Sequence, residues 1–527
     1  MTITDYKTER ENDVSKIKSS AHPKKVVVAG PGTGKSFLFQ ELIREKKKSG
    51  KTDFVAITFI GKLGDALADD LCGLAETMTM HGFARRFVLD KCKGWIYYPR
   101  IYDVIKADLK SEGIDEFEIG DDNYKKKTIF YKAVGDEDVV HYAIQICEKD
   151  KSKIPTHDLI LIDEFQDFNE KESRFVDLLA EKNEIVIVGD DDQALYEFKG
   201  SSPTYIRNKH HTSNNNFESH TLRFCSRCTD VIIKYFHALV DKFNLKDPAK
   251  NRIEKDYICY VPDKEKDSKA NPQIHLIKNC PSGMIAFKIR AELEKLISEQ
   301  KIKDVLIIGE GRSCKTILES IAKQLKHYGF KNVDYSKNNG YIDNKQNVVD
   351  AYKFLAHDPE SVLGWRILDN PTDQSEKDNH LKNSKTLRII ISGKSAEIKK
   401  LKDVDVVELE KSIENKHLDG LALKRLVFID ELRDRNLVLS RPLGNLNITV
   451  CNILNSKGLG ADVVFLVGFD EGKFPAKNTP TDSEIYQMLV AITRSKKRMY
   501  LVNTTGKKTS IFLDCLDASD LDTKEIK

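Results

Sequence analysis

Two kinds of hydrophobic pattern alternate along the first half of this chain. Short unbroken apolar runs stand beside longer stretches with helical spacing. The segment KVVVAGPGTGKSFLFQELI predicts a β-branched strand at Val26–Val28, a glycine-rich turn, and then a helix whose apolar face is Phe37, Leu38, Leu42 and Ile43. A second run, Leu159–Ile162 in DLILIDEFQD, and a third, IVIVG ending at Gly189, predict two more buried strands, each delivering acidic residues at its C-terminal end. Ligands of parallel α/β sheets bind at such strand ends.

A chain of 527 residues is longer than one hydrophobic core usually grows, so at least two core units are expected. Hydrophobic residues make up 40% and charged residues 32%, the balance of a globular protein, and no apolar stretch approaches the roughly 20 residues that span a bilayer. A membrane role is not expected. The polar N-terminus MTITDYKTERENDVSK has no secretory h-region, and the expected location is cytoplasmic. Lys and Arg total 85 against 82 Asp and Glu, a net +3, so any nucleic-acid binding must come from a local groove. The runs Lys46–Lys48 and Lys125–Lys127 read as solvated helix faces. Ten cysteines read as reduced thiols; Cys225 and Cys228 form one CxxC, but no second pair stands at zinc-binding spacing.

The glycine-rich turn carries the first chemistry. In the turn Gly30-Pro31-Gly32-Thr33-Gly34, expected to bind the nucleotide, the three glycines let backbone N–H groups crowd around phosphate oxygens at a helix N-terminus, where the dipole also favours anions. Lys35 can reach the terminal phosphates and Ser36 can ligate Mg²⁺. Ala29 stands at the first position of the usual GxxxxGK[ST] pattern, a mild departure. Asp163 suits a hold on Mg²⁺, and Glu164 suits deprotonating an attacking water. Beyond Asp190, Gln193 can sense a γ-phosphate, while Tyr196 and Phe198 can offer stacking faces to bases or serve as ordinary core aromatics.

Together these segments resemble the UvrD/Rep/PcrA type of superfamily-one DNA helicases. AGPGTGKS resembles motif I, AITFIGKLGDAL motif Ia, TMHGFA motif Ib, LIDEFQD motif II and GDDDQALYEFKG motif III. LRFCSRCTDVI is similar to motif IV, SKGLGADVVFLVGFDEGKFP to motif V and MLVAITRSKKRMYLV to motif VI. The resemblance implies an α/β fold of two RecA-like P-loop NTPase lobes with parallel sheets plus small helical insertions. It implies ATP and Mg²⁺ between the lobes and single-stranded DNA across both, without excluding RNA. Thr58, Phe59 and His81 would face DNA, Tyr196 and Phe198 would stack on bases, and Arg227 and Arg494 would neutralise transition-state charge.

Within that frame, residues 1–92 and 156–217 are expected to form the first lobe, with 93–155 a trimmed insertion. Residues 218–370 and 441–527 would form the second lobe, with 371–440 a reduced accessory insertion. The chain departs from the type in its nucleoside contacts. No glutamine precedes Gln40, Ser226 stands at the motif IV tyrosine, Gly460 at the motif V glutamate and Leu454 at the motif V histidine. Its economy is similar to that of the helicase subunit of the Gabija antiphage system. The chain ends soon after motif VI, so a nuclease activity is expected to come from a protein partner. The expected function is ATP-dependent 3′ to 5′ translocation on single-stranded DNA, in a repair or antiphage defence complex. A nucleic-acid-gated regulatory NTPase switch, without processive unwinding, is the alternative.

Overall fold

The computed structural model describes residues 2–211, 217–299, 302–311, 313–335, 344–368, 371–391 and 446–525. The chain divides into two compact units. One gathers Met1–Lys93, Val139–Lys337 and Ser440–Lys527, and the other Gly94–Asp138 and Asn338–Leu439.

The larger unit contains two wholly parallel sheets. Strands β1 (Lys24–Ala29), β2 (Phe54–Thr58), β3 (Glu76–Thr79), β4 (Leu159–Ile162), β5 (Ile185–Gly189) and β6 (Glu218–Leu222) form the first, in the order β3-β2-β4-β5-β1-β6. All three predicted strands are present, and β4 has the predicted bounds. Their near-continuous apolar runs follow from burial on both faces by flanking helices. Helix α1 (Ile3–Ser19) precedes β1 and starts at a Thr2–Asp5 capping box; α2 (Lys35–Lys48) follows it. The α2 core face is Leu38, Phe39, Leu42 and Ile43, packed with Val27, Ala29 and Leu161. Phe37, expected on that face, is 48% exposed instead. The helical period admits either phenylalanine beside Leu38, and the position of the sheet selects Phe39.

Strand β6 pairs with β1 from Lys25↔Glu218 to Ala29↔Leu222. It therefore extends the first sheet beyond the 217/218 boundary expected from the sequence. The second sheet runs β9-β10-β8-β11-β12-β7-β13, with β7 at Ile274–Cys280, β8 at Asp304–Gly309, β9 at Asn332–Tyr335, β10 at Asn447–Asn452, β11 at Ala461–Val467, β12 at Ser495–Thr504 and β13 at Leu521–Glu525. Its core joins Ile307, Val450, Phe465 and Tyr500. The Phe465 and Tyr500 rings stack with centroids 4.5 Å apart. Both sheets have the parallel, helix-flanked build of RecA-like P-loop lobes.

The smaller unit is mainly helical, with helices at Ile101–Ser111, Asp122–Tyr131, Asn344–His357, Val362–Ile367 and Gln374–Ile391. Its two chain segments are joined by a buried carboxylate: Asp108 accepts from Arg366 Nη2 at 2.8 Å and from the Tyr131 hydroxyl. Tyr352, Leu355, Trp365 and Leu387 form its apolar centre. Of the expected accessory insertion 371–440, residues 392–440 lie outside the described residues.

Candidate nucleotide site and nucleic-acid face

The turn from Gly30 to Gly34 joins β1 to α2 and aims the first amides of α2 into a hollow of about 420 Å³. Gly34 caps the helix at φ +97°, a conformation that a side chain resists. Gly32 has φ +71°, and a Cβ there would collide with the Arg227 side chain. The turn is braced from within, where Thr33 Oγ1 donates to Gly30 O at 2.8 Å. It is also braced by residues around motif IV: Ser226 N donates to Gly32 O at 2.9 Å and Tyr257 Oη to Pro31 O at 2.6 Å. Lys35, Ser36 and Arg227 line the same hollow, together with Lys496 and Lys497.

At the end of β4, Glu164 adopts φ +54°, rare for a residue with a side chain and a mark of strain where it is imposed by the surroundings. Lys35 Nζ lies 2.5 Å from Glu164 Oε1, while Gln166 Nε2 donates to Oε2 at 2.6 Å. Burial alone would raise the Glu164 pKa, but the ammoniums of Lys35 and Lys457 hold it well below the usual carboxylate range. Burial raises that of neighbouring Asp163. Asp163 Oδ1 is enclosed and has no hydrogen-bond partner, although a buried acceptor is expected to have one. Ser36 Oγ donates to Asp70 Oδ2 at 2.6 Å. The all-oxygen donor set of Ser36 and Asp163 fits a hard cation such as Mg²⁺.

Motif VI reaches the same place. Arg494 is 2% exposed; its Nη2 donates to Gln193 Oε1 at 3.0 Å and its Nε to Val490 O at 2.9 Å. Burial, with Arg227 adding repulsion, pulls the Arg494 pKa down to about 10. Lys457 of motif V, which the sequence reading passed over, pairs with Asp167 and stands 3.4 Å from Glu164 Oε2. The lysine in SKGLG, directly ahead of Gly458, was the available signal, since an ammonium that becomes buried needs a carboxylate partner.

The residues expected on the nucleic-acid face divide. Phe198 is 70% exposed, whereas Phe59 and Tyr196 are buried with ring centroids 5.0 Å apart. Lys199 Nζ lies within 6 Å of both rings. His81 is part-exposed, with Nδ1 3.4 Å from Glu172 Oε1. Thr58, expected to face DNA, is instead fully enclosed at the end of β2, and its hydroxyl has no hydrogen-bond partner. All five residues of β2 are buried, so its last residue is enclosed on whichever face it lies.

Residues 14–199 match the AAA domain family. A putative ATP-dependent DNA helicase YjcD of Bacillus subtilis is 48% identical over 48 residues, which are 9% of this chain and 6% of that protein. The exonuclease/helicase subunit RexA of Lactococcus lactis is 28% identical over 169 residues, 31% of this chain and 13% of its own. The ATP-dependent DNA helicase Rep of Buchnera aphidicola is 42% identical over 48 residues, 9% and 7% of the two chains. Over these stretches the chain is similar to helicases of the UvrD/Rep superfamily-one type. The matched stretches span only 6% to 13% of the length of these relatives.

Against the UvrD/Rep type, the nucleoside departures have a structural counterpart. Ser226 presents a buried hydroxyl with no hydrogen-bond partner, and Gly460 lies beside Arg227 and Lys496 without a side chain. Arg10 of α1, which also lines the phosphate hollow, stacks over the Tyr260 ring at 4.4 Å. Arg10, Glu11, Glu41, Tyr260 and the exposed Phe37 line a second hollow of about 510 Å³, next to the phosphate hollow. The N-terminal segment, unassigned from sequence, thus supplies one wall beside the candidate nucleotide site. Cys225, Cys228 and Cys259 are buried free thiols, and Cys225 Sγ lies 3.1 Å from Tyr257 Oη. Among the described residues no group of three metal ligands includes them. No helix among the described residues is long and apolar enough to cross a membrane.

Proposed function

We propose that this chain hydrolyses ATP and uses the cycle to move 3′ to 5′ along single-stranded DNA. The observation that carries the reading is the meeting of Gln193 with Arg494, 3.0 Å apart and 301 residues apart in sequence, beside the Lys35–Glu164 pair. A cation from the far end of the chain, set against a phosphate-sensing glutamine, makes turnover depend on how the two sheets are held together. Arginines in that role are worth roughly 10³–10⁵ in rate.

Lys35 and the amides of the Gly30–Ser36 turn bind and orient the triphosphate. Glu164 takes the proton of the attacking water, and Gln193, Arg227 and Arg494 hold the charge that develops. Ser36 and Asp163 would hold Mg²⁺, which when bound neutralises phosphate charge. Phe198 offers the exposed stacking face for bases, with Lys199 as a neighbouring cation. The trimmed accessory insertions are read as the smaller unit, 94–138 and 338–439, in place of the 93–155 and 371–440 expected from the sequence, and the larger unit is read as the two lobes. A nuclease partner, in a repair or antiphage setting, belongs to the same reading, supported by the exonuclease/helicase name of one relative.

ATP hydrolysis by the purified chain, measured with no nucleic acid, single-stranded DNA, single-stranded RNA and duplex, tests this. Strong stimulation by single-stranded DNA is expected. Hydrolysis that no nucleic acid changes overturns the motor reading.

A further inference from the structure

Three consecutive carboxylates, Asp190, Asp191 and Asp192, follow β5 and are fully enclosed. Their oxygens are close enough together to surround one cation. The chain itself supplies it. Lys255 Nζ lies 2.6 Å from Asp190 Oδ1, 2.5 Å from Asp191 Oδ1 and 2.9 Å from Asp192 Oδ2. Arg252 grips Asp192 through Nε at 2.8 Å and Nη2 at 2.7 Å, and Arg207 Nε reaches Asp191 Oδ2 at 2.9 Å. Three negative and three positive groups leave the cluster neutral, which makes its burial tolerable.

The cluster continues into the hydrolytic site. Asp190 uses its second oxygen, Oδ2, to accept from Gln193 Nε2 at 2.6 Å. An amide has one NH₂ and one oxygen, so fixing the NH₂ on Asp190 fixes where the oxygen points. That oxygen meets Arg494 Nη2 at 3.0 Å. The order is therefore Lys255, Asp190, Gln193, Arg494, every member buried and each in hydrogen-bond reach of the next. Lys255 lies beyond motif IV and outside every motif that the sequence reading used.

We propose that Lys255 is a positioning residue for hydrolysis: its ammonium, bound as an internal cation by Asp190, Asp191 and Asp192, orients Gln193 towards Arg494. This rests on the hydrolase reading above. The competing role is charge compensation alone, in which any arrangement that keeps the cluster neutral serves equally well.

Two variants separate the roles. Lys255→Arg keeps the charge but replaces a compact ammonium by a planar fork that cannot meet three oxygens in the same way. The double variant Lys255→Met/Asp191→Asn removes one charge of each sign and keeps the cluster neutral. Folding is followed by thermal melting, nucleotide affinity by a fluorescent ATP analogue, and turnover by steady-state kinetics. Positioning predicts a nucleotide affinity within about threefold of the unchanged chain and a kcat at least about tenfold lower in both variants. A folded variant of either kind with kcat within about twofold of the unchanged chain overturns the proposal. If the double variant does not fold, Lys255→Arg alone decides. The unchanged chain run alongside keeps the two readings distinct: absence of hydrolysis there defeats the hydrolase reading, whereas a variant-to-unchanged ratio near one defeats only the role of Lys255.

Discussion

Lys35 Nζ and Glu164 Oε1 form a 2.5 Å ion pair that joins the P-loop to the end of β4. The lysine would bind phosphate and the glutamate would activate water, so each claims the other's functional atom. Terminal phosphates compete with Glu164 for the ammonium, and drawing it away leaves Glu164 to Gln166 and Lys457.

The two residues should consequently fail in different ways. Lys35→Ala is expected to abolish productive triphosphate binding, whereas Glu164→Gln should still bind nucleotide and lose about 10²-fold or more in turnover. A fluorescent-nucleotide titration beside a steady-state assay separates them. Near-normal turnover by Glu164→Gln would show that another group takes the proton.

Phe198 and Tyr196, paired in the sequence reading as stackers, are expected to part company. Phe198 is 70% exposed and contributes little packing, so Phe198→Ala should leave stability within about 0.5 kcal/mol and weaken single-strand affinity by about 1–3 kcal/mol. Tyr196 is buried against Phe59, and Tyr196→Ala should cost about 3 kcal/mol of stability. Melting curves and fluorescence anisotropy with a labelled oligonucleotide provide both readings. Unchanged DNA affinity in Phe198→Ala sinks the stacking role.

The two arginines should likewise differ. Arg494→Ala removes donors to Gln193, Val490 and Leu459 from a buried site, so both stability and turnover should fall. Arg227 is only half-buried, and Arg227→Ala should lower turnover by a factor on the order of 10³ while the melting temperature stays close to that of the unchanged chain. Single-turnover hydrolysis of Arg227→Ala at the unchanged rate would remove it from the site.

Nucleotide choice follows from which polar groups surround the base. Sites with buried polar readers can discriminate by factors near 10⁴, whereas shape and stacking give roughly 10–200. The hollow beside Phe37 has an exposed aromatic, the Arg10–Tyr260 stack and the exposed Glu11, but no buried amide reader among its lining residues. GTP and deoxy-ATP are expected to be hydrolysed within about tenfold of ATP. A preference for ATP above about a thousandfold, measured as kcat/KM with the separate nucleotides, would require a base reader that this hollow does not supply.

The P-loop, the three central strands of the first sheet and the carboxylates behind them were legible in the sequence because their signals are local. A glycine at a left-handed position, or an apolar run flanked by turn residues, carries its reason within a few neighbours. The choice between Phe37 and Phe39 was already beyond that range, since both satisfy a helical period and only the sheet beneath α2 distinguishes them. Thr58 read as a DNA contact until the packing on both faces of β2 enclosed it. Lys457 and Asp167 pair across 290 positions of sequence, and Lys255 finds Asp190 across 65. No periodicity or spacing rule joins such residues. Their pairing depends on burial, which makes an unpartnered charge too costly to leave, and burial is decided only when the distant segments pack.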